Sequence, residues 1–407
     1  MVSIRRYLVR HSPKEWAVRL ALAAAAGVLG YYSVTFSVAQ LVVKRDPALA
    51  YRFAPYDGRI TAAYATSLAG TEASLRDRTR SDVLAKRALQ RDPTAVAAVA
   101  TLGVNADIRG DKATARRYFA YAQQLSRRNM RTQLFMIEDA VERGDIPGAL
   151  HQYDITLRVS PQLGEILYPV LASASADPVI RRELVKTLAV HPLWREGFIY
   201  FSAHNGPNPK STAALFLDLH RAGVAIPETA RTDIVNALIA GGQTDTAWSY
   251  YAAIRPSADR RRSRDPRFAA NLETPSQLDW TPINDGSGLT TSIEGGIFDF
   301  AAPASVGGPM LQQLQLLPPG TYRLSGHSIG IEQAVGNLPY WTLRCQNGRE
   351  LGRVEVPNSS VANGNFSGMF SVPADCPVQS LVLFARSSDA VSGLSGQFDQ
   401  ISLAPAR

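Results

Sequence analysis

Cysteine and histidine are the scarce residues in this chain of 407, and each scarcity excludes chemistry. The two cysteines are Cys345 and Cys376, and no CxxC exists. Zinc-ribbon and thioredoxin-type sites are therefore excluded. No cysteine stands near the N-terminus, so lipid attachment there is not expected. The six histidines are scattered and no pair has metal-ligand spacing, so neither a metal nor another cofactor is expected. Charged residues are only 19%, and the net charge of +8 is spread along the chain. The densest basic run, Arg255 to Arg267, lacks interleaved aromatics, and no nucleic-acid module is visible. Nucleic acid is thus not an expected partner. Apolar residues are 45%, enough for most of the chain to fold.

Long apolar runs are absent but for one. Leu20 to Val43 is 24 residues without a charge, preceded by Arg5, Arg6, Arg10, Lys14 and Arg19 against Glu15 alone. About 20 apolar residues cross a bilayer, and a basic flank stays in the cytoplasm. Everything after Val43 is then expected outside the cytoplasm. Ser37-Val38-Ala39 has the small-residue pattern of a signal cleavage site. The apolar run is too long for a usual signal core, so an uncleaved anchor over 20–43 is the expectation.

Helix-pair periodicity follows. Gly110-Asp111 and Gly144-Asp145 lie 34 residues apart, and Ala115 with Ala149 and Phe119 with Tyr153 keep that spacing. A period of 34 with small residues at fixed offsets suits stacked helix pairs: the glycine turns the chain and the alanine admits close packing. With Leu102, Gly103, Ala122, Pro93 and Pro161, these positions resemble the tetratricopeptide (TPR) repeat family. Val99 and Gln133 stand where that family carries a large residue early in the first helix. The rhythm fades after Pro161 and returns at Gly242, Ala247 and Tyr251, giving about six helix pairs over 44–255. An irregular helical bundle remains the alternative. Residues 256–276, with Arg260-Arg261-Arg262 and three prolines, read as a basic linker or a short docking segment.

After Leu278 the pattern alternates. Short runs at 296–300, 312–316, 320–325, 340–345, 353–356, 366–372, 381–385 and 397–403 predict eight strands of a β-sandwich. The turn Leu317-Pro318-Pro319-Gly320, feeding Thr321-Tyr322-Arg323-Leu324, and the phrase Gly396-Gln397-Phe398-Asp399-Gln400-Ile401 resemble galactose-binding-like and jelly-roll modules of carbohydrate-binding proteins.

Outside the cytoplasm Cys345 and Cys376 should form a disulfide. With Cys345 inward, alternation puts Trp341 and Leu343 inward and Tyr340, Thr342 and Arg344 outward. On 366–372 the inward set is Phe366, Gly368, Phe370 and Val372. Sugar binding uses exposed rings with charged and amide groups at the hydroxyls. The ligand-binding candidates are Arg323, His327, Tyr340, Arg344, Arg386 and Asp389. Gly326-His327-Ser328-Ile329-Gly330 matches G-x-S-x-G, but that nucleophile elbow needs a strand, a sharp turn and a helix, with a histidine following. No histidine follows Ser328, so a hydrolase is the least favoured reading. Glu332, Glu350, Glu355, Asp389 and Asp399 offer acids, and no spacing selects a glycosidase pair.

The expected fold is α+β multidomain: a basic tail (1–19), a transmembrane helix (20–43), an all-α TPR-like solenoid (44–255), a linker (256–276) and an all-β jelly-roll-like sandwich (277–407). As a combination it resembles inner-membrane proteins, with their bulk in the periplasm, that accompany bacterial exopolysaccharide systems. The resemblance implies a non-enzymatic adaptor whose helices bind an envelope protein and whose sandwich binds polysaccharide. A pure protein scaffold is the alternative.

Overall fold

A computed structural model describes residues 13–70, 72–388, 391 and 393–406. It divides into two compact units, 1–163 and 164–407.

The first unit is all-helical among its described residues. A long helix α1 (Pro13–Val42) precedes α2 (Pro47–Phe53), α3 (Gly58–Ser67), α4 (Leu75–Arg91), α5 (Val96–Ile108), α6 (Lys112–Leu125), α7 (Met130–Glu142) and α8 (Ile146–Val159). The Gly-Asp pairs do two jobs at each turn. Gly110 and Gly144 take φ of 80° and 68°, left-handed values open to a residue without Cβ. At the first turn Gly110 N–H reaches Asp107 O at 2.8 Å and Asp111 N–H reaches Ala106 O at 3.0 Å. At the second, Gly144 bonds to Val141 O at 2.9 Å and Asp145 to Ala140 O at 2.9 Å. These are Schellman closures, which satisfy the last carbonyls of α5 and α7. The aspartate then caps the next helix: Asp111 accepts from Thr114 N at 3.0 Å and Asp145 from Gly148 N at 2.9 Å. Ala115, Phe119, Ala149 and Tyr153 are all buried. Leu102 is buried beside Gly103, where a Cβ would stand 2.9 Å from the Phe119 ring. Phe119 stacks on Phe135 of α7 with centroids 4.1 Å apart, so the rings carry packing from one pair to the next.

The second unit opens with six helices: α9 (Gly164–Ala174), α10 (Pro178–Ala189), α11 (Arg195–Asn205), α12 (Pro209–Arg221), α13 (Glu228–Ala240) and α14 (Thr244–Ile254). The α13–α14 turn repeats the glycine closure, with Gly242 at φ 70° and Ala247 fully buried.

The sandwich follows as two five-stranded antiparallel sheets in a jelly-roll-like arrangement. The first sheet has the order β1 (Thr281–Pro282), β4 (Gly308–Gln315), β9 (Gln379–Ala385), β6 (Tyr340–Cys345) and β7 (Glu350–Glu355). The second has β2 (Thr290–Glu294), β3 (Ile297–Ala302), β10 (Leu394–Pro405), β5 (Gly320–Ile329) and β8 (Asn365–Val372). Between them lies an aromatic core of Phe298, Phe300, Trp341, Phe366, Phe370 and Phe398. Trp341, Leu343, Cys345, Phe366, Phe370 and Val372 are buried, as alternation predicts. Cys345 and Cys376 are disulfide-bonded.

The stretch read as a basic linker or a short docking segment is an ordered strap. Ser263 N–H bonds to Leu403 O at 2.9 Å, and Ile401 N–H to Pro266 O at 2.8 Å, so the strap runs beside β10. Arg264 is fully buried: its guanidinium donates to Leu278 O at 2.9 Å, to Gln315 Oε1 at 3.0 Å and to Leu314 O. Burial pulls its pKa down to about 10 against the pull of Tyr251 and Asp279. From the helical side Thr232 Oγ1 donates to Thr274 O at 2.5 Å, and Asn236 Oδ1 accepts from Gln277 N at 2.9 Å.

Candidate functional site

The outer face of the first sheet carries an array of rings and charges. Register puts Tyr340 of β6 opposite Phe384 of β9 and, on its other side, Glu355 of β7. The two rings lie nearly parallel, 9° apart, with centroids 5.5 Å apart. Three guanidiniums lie over them. Arg353 sits 4.1 Å and Arg386 5.0 Å from the Tyr340 centroid, and Arg344 sits 4.9 Å from that of Phe384. All fall within cation–π range. To reach Phe384 from its own register position beside Ser380, Arg344 must run along the sheet surface. Such stems explain why Thr342 and Val382, on the outer face, are nonetheless buried.

Two glutamates fix the guanidiniums. Glu350 meets Arg353 at 3.3 Å and Arg344 at 3.5 Å, and Glu355 meets Arg386 at 2.6 Å. The hydrogen bond from Arg353 holds the Glu350 carboxyl below the usual carboxylate range, against a smaller burial effect. The same bond raises Arg353 above its ordinary value. Arg386 also donates to Gly336 O at 2.9 Å. The face thus offers fixed donors and acceptors on neighbouring strands, which is more rigid than a loop array.

Of the six sequence candidates, Tyr340, Arg344 and Arg386 converge here. Arg323 and His327 lie on β5, in the other sheet. His327 Nδ1 pairs with Asp399 Oδ1 at 2.8 Å, and Arg323 is exposed. Asp389 lies outside the described residues. Phe384 and Arg353 went unselected, because only strand pairing shows that they share a face with Tyr340. Ser328 lies within β5, which continues through it as a strand with no turn into a helix. It is buried, with its Oγ 3.0 Å from Ser359 Oγ and 3.3 Å from Gly364 O.

A second feature is a cleft of about 710 Å³ between the strap and the β2–β3 turn. Phe268, Trp280, Pro282 and Ile293 line it together with Asp265, Glu273 and Glu294. Asp265 Oδ1 and Oδ2 accept from Ala269 N and Ala270 N at 2.8 and 2.9 Å. No lysine, arginine or histidine lines it, so the wall presents carboxylate acceptors beside apolar surface. Among the described residues no group of three or more metal-ligating side chains could hold a metal ion.

No protein-family model matches the chain, and no curated protein matches it. Several solved structures are similar to part of it. One is a CBM4 structure, at 14% identity over 35% of this chain and 99% of that chain, with a TM-score of 0.26. TmCBM61 in complex with β-1,4-galactotriose matches at 15% identity over 35% and 97%, with a TM-score of 0.25. A glycosylation-associated protein (Gap123) complex from Streptococcus agalactiae matches at 12% identity over 30% of this chain, with a TM-score of 0.21. The match spans 43% of that last chain's length.

Proposed function

We propose that the chain is a non-catalytic adaptor held at a membrane by α1, with a sandwich that binds a glycan on the outer face of its first sheet. The observation that carries this reading is the Tyr340–Phe384 ring pair under three guanidiniums and two carboxylates. Sugar hydroxyls both donate and accept hydrogen bonds, and such an array offers partners of both kinds beside apolar ring surface. Because the ring faces already carry guanidiniums, a neutral pyranose would meet ring edges and arginine planes rather than a bare platform. Sugars bearing carboxylates are the favoured ligands: a uronate can accept from the guanidinium N–H groups that Glu350, Glu355 and Gly336 O leave unbonded. In the wider proposal the anchor is uncleaved, the bulk lies in the periplasm, and the helix pairs hold an envelope protein that works in exopolysaccharide synthesis or export.

The test is retention of the detergent-solubilised chain on immobilised acidic and neutral polysaccharides. Tyr340→Ala and Arg386→Ala should each weaken retention about tenfold, while Glu273→Gln and Glu294→Gln should leave it unchanged. The reverse pattern would move the site to the cleft. Wild-type protein that binds no polysaccharide would remove the glycan reading.

One observation favours a second reading. Tyrosine and arginine locked together on a rigid face are also the residue types that dominate protein interfaces. In that case the face binds a protein. Cross-linking from a photoreactive residue at 340 in cells would then capture a polypeptide and no glycan.

A further inference from the structure

The helix α1 is longer than a bilayer needs, and the surplus has a place. Its 30 residues extend about 45 Å at 1.5 Å per residue, against a hydrocarbon layer of about 30 Å. With α1 along the bilayer normal, roughly ten residues lie outside. The C-terminal end is the part held by protein. Ala39 is buried in a cluster with Ala50, Ala54 and Ile60, and Val42, Val43 and Tyr51 pack against it. Gln40 is exposed on the uncovered side, where acyl chains would offer its amide no partner.

After the turn at 43–46 the chain doubles back along α1. Tyr56 reaches Tyr32, with ring centroids 5.4 Å apart in an edge-to-face contact, and its hydroxyl points to Tyr32 O at 3.4 Å. Tyr32 lies ten residues before Val42, about 15 Å down the helix axis. The turn between α2 and α3 is thus the part of this hairpin nearest the bilayer. It is apolar and exposed where a soluble surface would be polar: Phe53 is 38% exposed and Tyr56 42%, beside Tyr31 at 65%. Arg52, Arg59 and Arg91 surround it against Asp57 and Asp92. Arg91 donates to Pro55 O, inside the turn itself, and Arg59 pairs with Asp92 at 3.1 Å.

Resting on the reading of α1 as a membrane span, we infer that the α2–α3 turn lies in the headgroup layer of an anionic bilayer. Phe53 and Tyr56 join Tyr31 and Tyr32 in the interfacial belt that aromatic rings favour, and Arg52, Arg59 and Arg91 lie at the lipid phosphates. Counting 20 residues back from Tyr32 places the other boundary at Pro13, with Trp16 in the opposite belt and Arg19 extended toward its headgroups. The membrane boundary on the α2 side is then near Tyr32 rather than at Val43, with Lys14 and Glu15 at the opposite edge and Val34, Phe36 and Leu41 exposed in the headgroup layer. The contact ties the first helix pair to the membrane surface as well as to the span.

Site-specific depth measurement tests this. The two native cysteines are bonded to each other, so an introduced thiol takes a label alone. Full-length protein carrying Phe53→Cys with an environment-sensitive dye is reconstituted into phosphatidylglycerol–phosphatidylethanolamine vesicles. The same label at Val141, exposed on α7, serves as the aqueous reference. The expected result is flotation with the vesicles, and quenching at 53 by lipids spin-labelled near the headgroup at least threefold stronger than at 141. A second label at Leu49→Cys, one turn earlier on α2, is expected to fall between the two. Flotation with equal quenching at 53 and 141 would overturn the interfacial contact and leave the anchor standing. Protein that stays out of the vesicle fraction would overturn the membrane-span reading and this inference with it.

Discussion

Tyr251 donates its hydroxyl hydrogen to the Asp279 carboxylate across 2.6 Å, tying α14 to the residues that lead into β1. Both groups are buried, and Asp279 also accepts from Ser276 N at 3.0 Å and Ser276 Oγ at 2.6 Å. Burial, and next the neighbouring Asp279 charge, raise the tyrosine pKa, so the phenol remains a donor at any physiological pH. Tyr251→Phe should therefore destabilise the second unit by about 1.5 to 3 kcal/mol, the range for a lost bond to a charged group. Urea denaturation followed by tryptophan fluorescence measures it. An unchanged midpoint would mean that the bond holds nothing together.

Arg264→Met is expected to cost more. It removes a fully buried guanidinium and leaves Gln315 Oε1 and the Leu278 and Leu314 carbonyls without their donor. Each stranded acceptor costs about 1 to 3 kcal/mol, so a loss of at least about 3 kcal/mol follows. A fragment of residues 277–407, which lacks the strap, should melt well below a fragment of 255–407. Equal melting temperatures would show that the strap is only an attachment.

The disulfide closes a loop with a sequence separation of 31. In the chain-entropy model that loop contributes about 3 to 4 kcal/mol. Paired Cys345→Ser and Cys376→Ser substitutions should lower the urea midpoint accordingly. Reduction of the wild type should shift it by a similar amount.

Gly110→Ala and Gly144→Ala test the helix turns of the first unit. At both sites a Cβ meets nothing within 4 Å, so the only cost is the left-handed backbone. That cost is about 1 to 2 kcal/mol. Gly103→Ala should cost as much for a different reason, because its methyl would collide with the Phe119 ring. Relief of the Gly103 defect by Phe119→Leu, with none at Gly110, would separate the two causes.

Acid should loosen the ring-and-arginine face. The folded-state pKa of Glu350 lies below its ordinary value, so its contribution is fully present above the unfolded pKa, about 4.3 for glutamate. It is lost as pH falls through the folded value. Wild-type stability should drop below about pH 4.3, and Glu350→Gln should show a shallower drop over the same window. Parallel curves for the two proteins would contradict the assignment.

How much of this was legible in the residues varies by element. The strand Tyr340–Cys345 was read to both ends, because large apolar residues alternate with polar ones through it. The strands β1 and β2 were missed: one is two residues long, and the other, Thr-Thr-Ser-Ile-Glu, buries no side chain fully. The candidate face was half readable. Alternation selects Tyr340 and Arg344, but Phe384 joins them through a pairing that only the folded sheet reveals. Arg264 looked like one arginine in a basic run. Nothing local distinguishes an arginine whose main chain will bond to Gln313 and whose guanidinium will be buried against Gln315, some 50 residues on, from its solvated neighbours.

Ser263 and Leu403 bond to each other twice, backbone N–H to carbonyl at 2.9 Å and Leu403 N–H to Ser263 Oγ at 2.8 Å. They are 140 residues apart in the chain. Contacts of such long separation close late, because loop entropy must be overcome before they contribute. On the ribosome the helix pairs have their partners nearby in sequence and can form as they emerge. The strap must wait until β10 has been made. Until then Trp280, Phe298 and Phe300 lack the Phe398 strand that completes their core, and the half-made sandwich presents apolar surface to any chaperone or neighbouring chain. Fastening the strap to the last strand thus brings a vulnerable interval during synthesis.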